Sequence, residues 1–91
     1  MFLIVYDISD TNKRTRIHNT ILDAGGEPIQ YSAFMTELNG NELSELLELI
    51  KTILDGNDED IRFIPLCESC LSKSVVITTK TIPKEEKYFI F

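Results

Sequence analysis

Ninety-one residues, 43% of them apolar and 26% charged, make up one ordinary soluble domain with a thin core. Fifteen acids against nine Lys and Arg give a net charge of −6, which excludes a generally basic nucleic-acid-binding surface and leaves room only for a local one. No stretch is long and apolar enough to span a membrane. The short apolar start lacks the basic region of a secretory signal, so a cytoplasmic protein is expected.

The charges are segregated. Lys13, Arg14 and Arg16 cluster near the start, Glu42, Glu45 and Glu48 share one segment, and Asp55, Asp58, Glu59 and Asp60 crowd another. Residues 2–8 form a continuous apolar run, read as a buried central strand. Its carboxyl end carries Asp7, followed by Asp10 and the three cations. An acid beside bases at a sheet rim is what metal-assisted phosphodiester chemistry or phosphate binding needs. Asp7 read alone would be a helix cap. Asp10, Thr11 or Asn12 can cap the helix that follows, Ile17, Ile21 and Ala24 mark its inner face, and Gly25-Gly26 ends it.

Residues 29–38 alternate as a second strand. Leu43, Leu46, Leu47, Ile50, Ile53 and Leu54 then fall on one helical face, with Asn39 and Glu42 as a capping box and Gly56 as the stop. A third strand spans 61–66, confined by Pro65 to an edge or ending there. A fourth, rich in β-branched residues, spans 74–80. The apolar tail Lys87–Phe91 reads as a strand that must pair, either with its own sheet or with a second copy. Periodicity alone supports an α+β sandwich with helices on one sheet face and leaves strand order open.

Cys67 and Cys70 have CxxC spacing without a secretory signal, which places them in a reducing compartment. One CxxC supplies half of a zinc site, and a redox pair is expected near the first helix of a βαβ unit. The pair is therefore read as buried structural thiols. His18, the only histidine, has a surface or packing role. No nucleophile–His–acid set or glycine-rich phosphate loop can be assembled.

Four segments in order, Tyr6-Asp7-Ile8-Ser9-Asp10, Lys13-Arg14-x-Arg16, Gln30-Tyr31-Ser32-Ala33-Phe34 and Pro65-Leu66-Cys67-x-x-Cys70, closely resemble the CRISPR-associated protein 2 family. The likeness runs from residue 2 to about residue 80. It implies a single ferredoxin-like domain over 1–91, an antiparallel sheet with two helices on one face. It also implies that the 29–38 region is bent or broken as a hairpin, and that residues 81–91 form a C-terminal strand pairing across a homodimer or with a partner.

The resemblance further implies a CRISPR adaptation protein, acting in spacer acquisition beside the CRISPR integrase, CRISPR-associated protein 1. The implied activity is Mg²⁺-dependent endonuclease cleavage of single-stranded RNA or duplex DNA. The alternative is a non-catalytic dimeric scaffold that holds duplex DNA in the integrase complex. Asp7 is carried over as catalytic residue and metal ligand, two copies sharing one Mg²⁺ at the dimer axis, with Mn²⁺ as the substitute ion. Arg14, Arg16 and Lys13 are carried over as nucleic-acid contacts. Tyr6, Ser32 and Phe34 stand as substrate or interface residues, Tyr6 preferentially in the core and Phe34 preferentially at the dimer interface. Relatives often carry arginine just before the second strand, where this chain has Glu27-Pro28.

Overall fold

The computed structural model describes residues 1–56, 58–75 and 77. Chain order is β1 (Phe2–Ile8), α1 (Thr11–Asp23), β2 (Glu27–Gln30), β3 (Ala33–Thr36), α2 (Gly40–Ile53), β4 (Glu59–Pro65) and α3 (Glu68–Ser72). The sheet runs β2-β3-β1-β4 with every neighbouring pair antiparallel. β1 and β2 therefore run the same way with β3 inserted between them, the split βαβ arrangement of a ferredoxin-like fold.

Local chemistry accounts for both long helices. Asp10 caps α1 by accepting from the Lys13 amide at 2.9 Å. Asn39 and Glu42 form the expected capping box at α2, with reciprocal bonds of 2.8 and 2.9 Å. Gly25 leaves α1 at a φ of 91°, which a side chain would strain. Gly26 is needed for close approach instead: a Cβ there would meet Ile21 Cγ2 at 2.6 Å and Phe34 Cδ2 at 3.2 Å. Ile17 and Ile21 from α1, and Leu46, Ile50 and Ile53 from α2, cover Ile4, Tyr6, Ile8 and Phe34 on one face of the sheet.

The apparent strand over 29–38 is two strands. Tyr31 and Ser32 form the turn between β2 and β3, and a register shift between Pro28 and Gln30 bends the hairpin. Across the turn Gln30 opposes Ala33, so the alternation of the sequence does not follow one face of the sheet. β3 is buried at all of its positions. The third expected strand is β4, starting at Glu59 and lying at the edge of the four described strands with Pro65 as its last residue.

The strand expected over 74–80 is not formed where it is described: Ser74, Val75 and Ile77 are outside any strand. The short helix α3, which no periodicity announced, precedes them instead. The fourth sheet position is thus filled by splitting the hairpin. The expected C-terminal strand at 81–91 lies outside the described residues.

Candidate functional site

Strand alternation divides the β1 motif. Ile4, Tyr6 and Ile8 are buried against the helices, so Leu3, Val5 and Asp7 project from the opposite face. On that face Leu3 opposes Ile64, Val5 opposes Arg62, and Asp7 opposes Asp60 on β4. Directly opposed residues of an antiparallel pair have Cα atoms about 4.5–5.5 Å apart. Like charges directly opposite one another on a ladder are unfavourable unless a cation sits between or beside them. Asp60 has such a cation, Arg62, whose Nε donates to Oδ2 at 3.0 Å. Asp7 is exposed and has no ion-pair partner among the described residues.

The donor set suits a hard cation. A carboxylate on an exposed rim, with a second carboxylate across the ladder, offers oxygen ligands and leaves room for water, as Mg²⁺ prefers. One protomer does not complete a cage: among the described residues no group of three or more His, Cys, Asp or Glu comes together.

The cations next to β1 do not form one patch. Lys13 is held by Asp55 and by Glu59, the latter at 2.6 Å. These bonds push the Lys13 ammonium pKa up from its ordinary value, Asp55 contributing most, and Lys13 in turn lowers that of Glu59. Asp55 before β4 and Glu59 at its start are therefore the counter-charges of Lys13, whose positive charge is already matched.

Arg14 donates through Nη1 to the Ile8 carbonyl at 3.2 Å and through Nη2 to Thr11 Oγ1 at 3.4 Å, instead of pairing with Asp10. This fixes the guanidinium at the C-terminal end of β1 while leaving three of its five N–H groups unused. Arg14 lines a cleft of about 450 Å³ with Tyr6, His18, Gln30 and Tyr31. Arg16 lies two positions on, where helical side chains do not share a face. It lines a separate groove with Asn19, Asp23 and Thr52. The structure thus separates Arg14 from Arg16, and places Asp7 on the sheet face away from the helices.

Phe34 corrects an expectation. It is fully buried, with its ring 6.2 Å from Tyr6 in a stacked arrangement and 5.0 Å from His18 in a tilted one. It is a core residue, available neither to a base nor to an interface, because β3 turns this side chain toward α1 and α2. Tyr6 is 5% exposed and in the core as preferred, its hydroxyl 3.4 Å from His18 Nδ1. Burial raises the Tyr6 phenol above its ordinary pKa. His18 packs as expected. Ser32 lies in the turn rather than on a strand, and its carbonyl accepts from the Tyr6 amide at 3.1 Å.

Tyr31, which the residue pattern did not single out, is 87% exposed at the mouth of the Arg14 cleft. Its signal was its position at the hairpin turn, hidden while 29–38 read as one strand. Cys67 and Cys70 are both exposed, not buried: they lie at the N-cap and within the short helix α3, which buries none of its residues.

The split βαβ sheet, with Asp7 exposed near the end of its first strand and Arg14 bonded to the Ile8 carbonyl at that end, defines a small protein of ferredoxin-like fold. The family model described as CRISPR associated protein Cas2 matches residues 1–74. The chain is 37% identical over 78 residues to the CRISPR-associated endoribonuclease Cas2 1 of Archaeoglobus fulgidus, covering 86% of this chain and 83% of that protein. Among solved structures, a hypothetical protein of Thermus thermophilus superposes with a TM-score of 0.69 at 27% identity, covering 72% of this chain and 79% of that one. Streptococcus pyogenes Cas2 superposes with a TM-score of 0.70 over 85% of this chain and 98% of that one, at 20% identity, a likeness of fold. The chain belongs to the CRISPR-associated Cas2 family.

Proposed function

We propose that this protein is a metal-dependent endoribonuclease of CRISPR adaptation, working as a homodimer. The observation that carries the reading is Asp7: exposed, opposite Asp60, and without a cation partner among the described residues. The name of the Archaeoglobus fulgidus relative, an endoribonuclease, supports it. Since the described residues of one protomer bring together no group of three or more His, Cys, Asp or Glu, Asp7 from two protomers would hold one Mg²⁺, with Mn²⁺ able to replace it. The bound ion would supply an activated water and offset charge developing at phosphorus.

The chain's own residues do the rest. Asp7 presents hard oxygen ligands on a rigid strand. Asp60 raises the negative potential there and recruits the cation, while Arg62 limits the repulsion between the two carboxylates. Arg14, braced by Ile8 and Thr11, binds a backbone phosphate with its remaining N–H groups. Tyr31 offers an exposed ring on which an unpaired base can stack. Stacking of this kind favours single-stranded RNA over duplex DNA. Arg16 adds a second, separate phosphate contact, and Lys13 serves to join α1 to the loop before β4. The CRISPR integrase is the protein partner this reading implies.

Incubating purified protein with single-stranded RNA and duplex DNA, in Mg²⁺ or in EDTA, tests the proposal. RNA cleavage in Mg²⁺ that stops in EDTA supports it. A well-folded dimer that binds duplex DNA but cuts neither substrate would replace it with the scaffold reading.

A further inference from the structure

The two cysteines are brought together by the turn that ends β4. Pro65 closes the strand, the Leu66 amide donates to the Met1 carbonyl at 2.9 Å, and the amides of Cys70 and Leu71 both donate to the Cys67 carbonyl at 3.1 Å. The turn places Cys67 Sγ 3.3 Å from Cys70 Sγ, with both residues exposed. A disulfide bond is about 2.05 Å long, so roughly 1.3 Å of closure separates this arrangement from the bonded one. Zinc is the poorer occupant. It takes four ligands in a structural site, and no third His, Cys, Asp or Glu joins the pair among the described residues.

We propose that Cys67 and Cys70 form a thiol–disulfide exchange site, in which Cys67 attacks a small-molecule or protein disulfide and Cys70 resolves the product. The Cys67 thiolate adds to one sulfur of the co-reactant, forming a mixed disulfide and releasing one thiolate. Cys70 loses its proton to water and attacks Cys67 Sγ, and the second thiolate leaves. Both departing thiolates take up protons. The protein dithiol is oxidised by two electrons, and the external disulfide is reduced to two thiols.

The order of attack follows from the surroundings of each sulfur. Ser69 Oγ lies 3.3 Å from Cys67 Sγ and can donate to a thiolate there. With the Cys70 amide and thiol it lowers the Cys67 pKa to about 7, so a large fraction is thiolate near neutral pH. The Cys67 sulfur raises the Cys70 pKa and keeps that thiol protonated until the mixed disulfide has formed. The site is remote from Asp7. Met1, to which the turn is bonded, immediately precedes β1, and Asp7 lies about 20 Å further along that strand.

The test uses the full chain equilibrated with mixtures of glutathione and glutathione disulfide, then alkylated with iodoacetamide and weighed by mass spectrometry. Both thiols should disappear together in one two-electron step, with the chain remaining single on a non-reducing gel. Cys70→Ser should stop at a glutathione adduct on Cys67. Cys67→Ser should react about fivefold more slowly than Cys70→Ser near neutral pH, thiolate fraction outweighing the lower nucleophilicity of the more acidic thiol. Circular dichroism confirms that both variants are folded. Thiols that stay alkylatable at the highest disulfide concentration, disulfides between chains, or equal rates for the two variants would overturn the proposal. So would a bound metal that blocks alkylation until a chelator removes it.

Discussion

Tyr6 and Asp7 are adjacent in one motif and meet opposite fates. Tyr6 points into the layer between sheet and helices, where Phe34 and His18 pack against it. Asp7 points out of the other face, where Asp60 opposes it across the ladder. The period of two along a strand sorts a single motif into a core side chain and an exposed carboxylate. The cations after β1 are sorted likewise: Lys13 is consumed by two carboxylates, and Arg14 and Arg16 look into different grooves.

The largest effect that would break this contrast is on the scaffold side. Phe34→Ala removes a fully buried ring shared with Tyr6 and His18, and should cost about 3–5 kcal/mol. Urea unfolding measures the loss, and cleavage should fall only in proportion to the folded fraction. Arg14→Ala should weaken RNA binding more than Arg16→Ala, by about 1–2 kcal/mol against less than about 1 kcal/mol, because only Arg14 is braced beside β1. Titrations of both variants at one fixed salt concentration check the order. Tyr6→Phe loses only a 3.4 Å hydroxyl contact with His18 and should cost about 0.5–1.5 kcal/mol, leaving cleavage intact.

The smallest effect concerns the clasp formed by Lys13, Asp55 and Glu59. Lys13 depresses the Glu59 carboxyl below its ordinary pKa of 4.5, so its contribution is full above that pH and fades as pH falls through the lowered value. The Lys13 ammonium is raised above 10.5, so its contribution is full below that pH and fades as pH rises past the raised value. Stability from this clasp is therefore flat around neutrality and declines at both extremes. Melting curves of wild type and Glu59→Gln across pH should converge in acid and separate at neutrality.

How much of this was legible in the sequence follows the range of the interactions. α2 could be read directly, because Asn39, Glu42 and the leucine stripe act within a few residues of one another. Asp7 could be placed at the end of a buried strand for the same reason. The β2–β3 turn, implied only by the family resemblance, could not be read from the residues themselves, since Tyr31-Ser32 carries no Gly, Pro or Asn to mark it. The pairing of Lys13 spans 42 and 46 residues and exists only after folding. Phe34 was legible as apolar but not as inward-facing, because the face is decided by the register of β3 against β1. The exposure of Cys67 and Cys70 depends on α3, too short to leave a periodic trace.

The contrast between the two faces of β1 is tested most directly at Asp7 itself. Binding of Mn²⁺, followed by electron paramagnetic resonance, should be compared in wild type and Asp7→Asn, with RNA cleavage assayed on the same samples. One ion per two chains is expected in wild type, with loss of binding and of cleavage by about a hundredfold or more in the variant and unchanged or slightly higher thermal stability, since the like charge opposite Asp60 is removed. Undiminished Mn²⁺ binding and cleavage by a folded Asp7→Asn protein would contradict it.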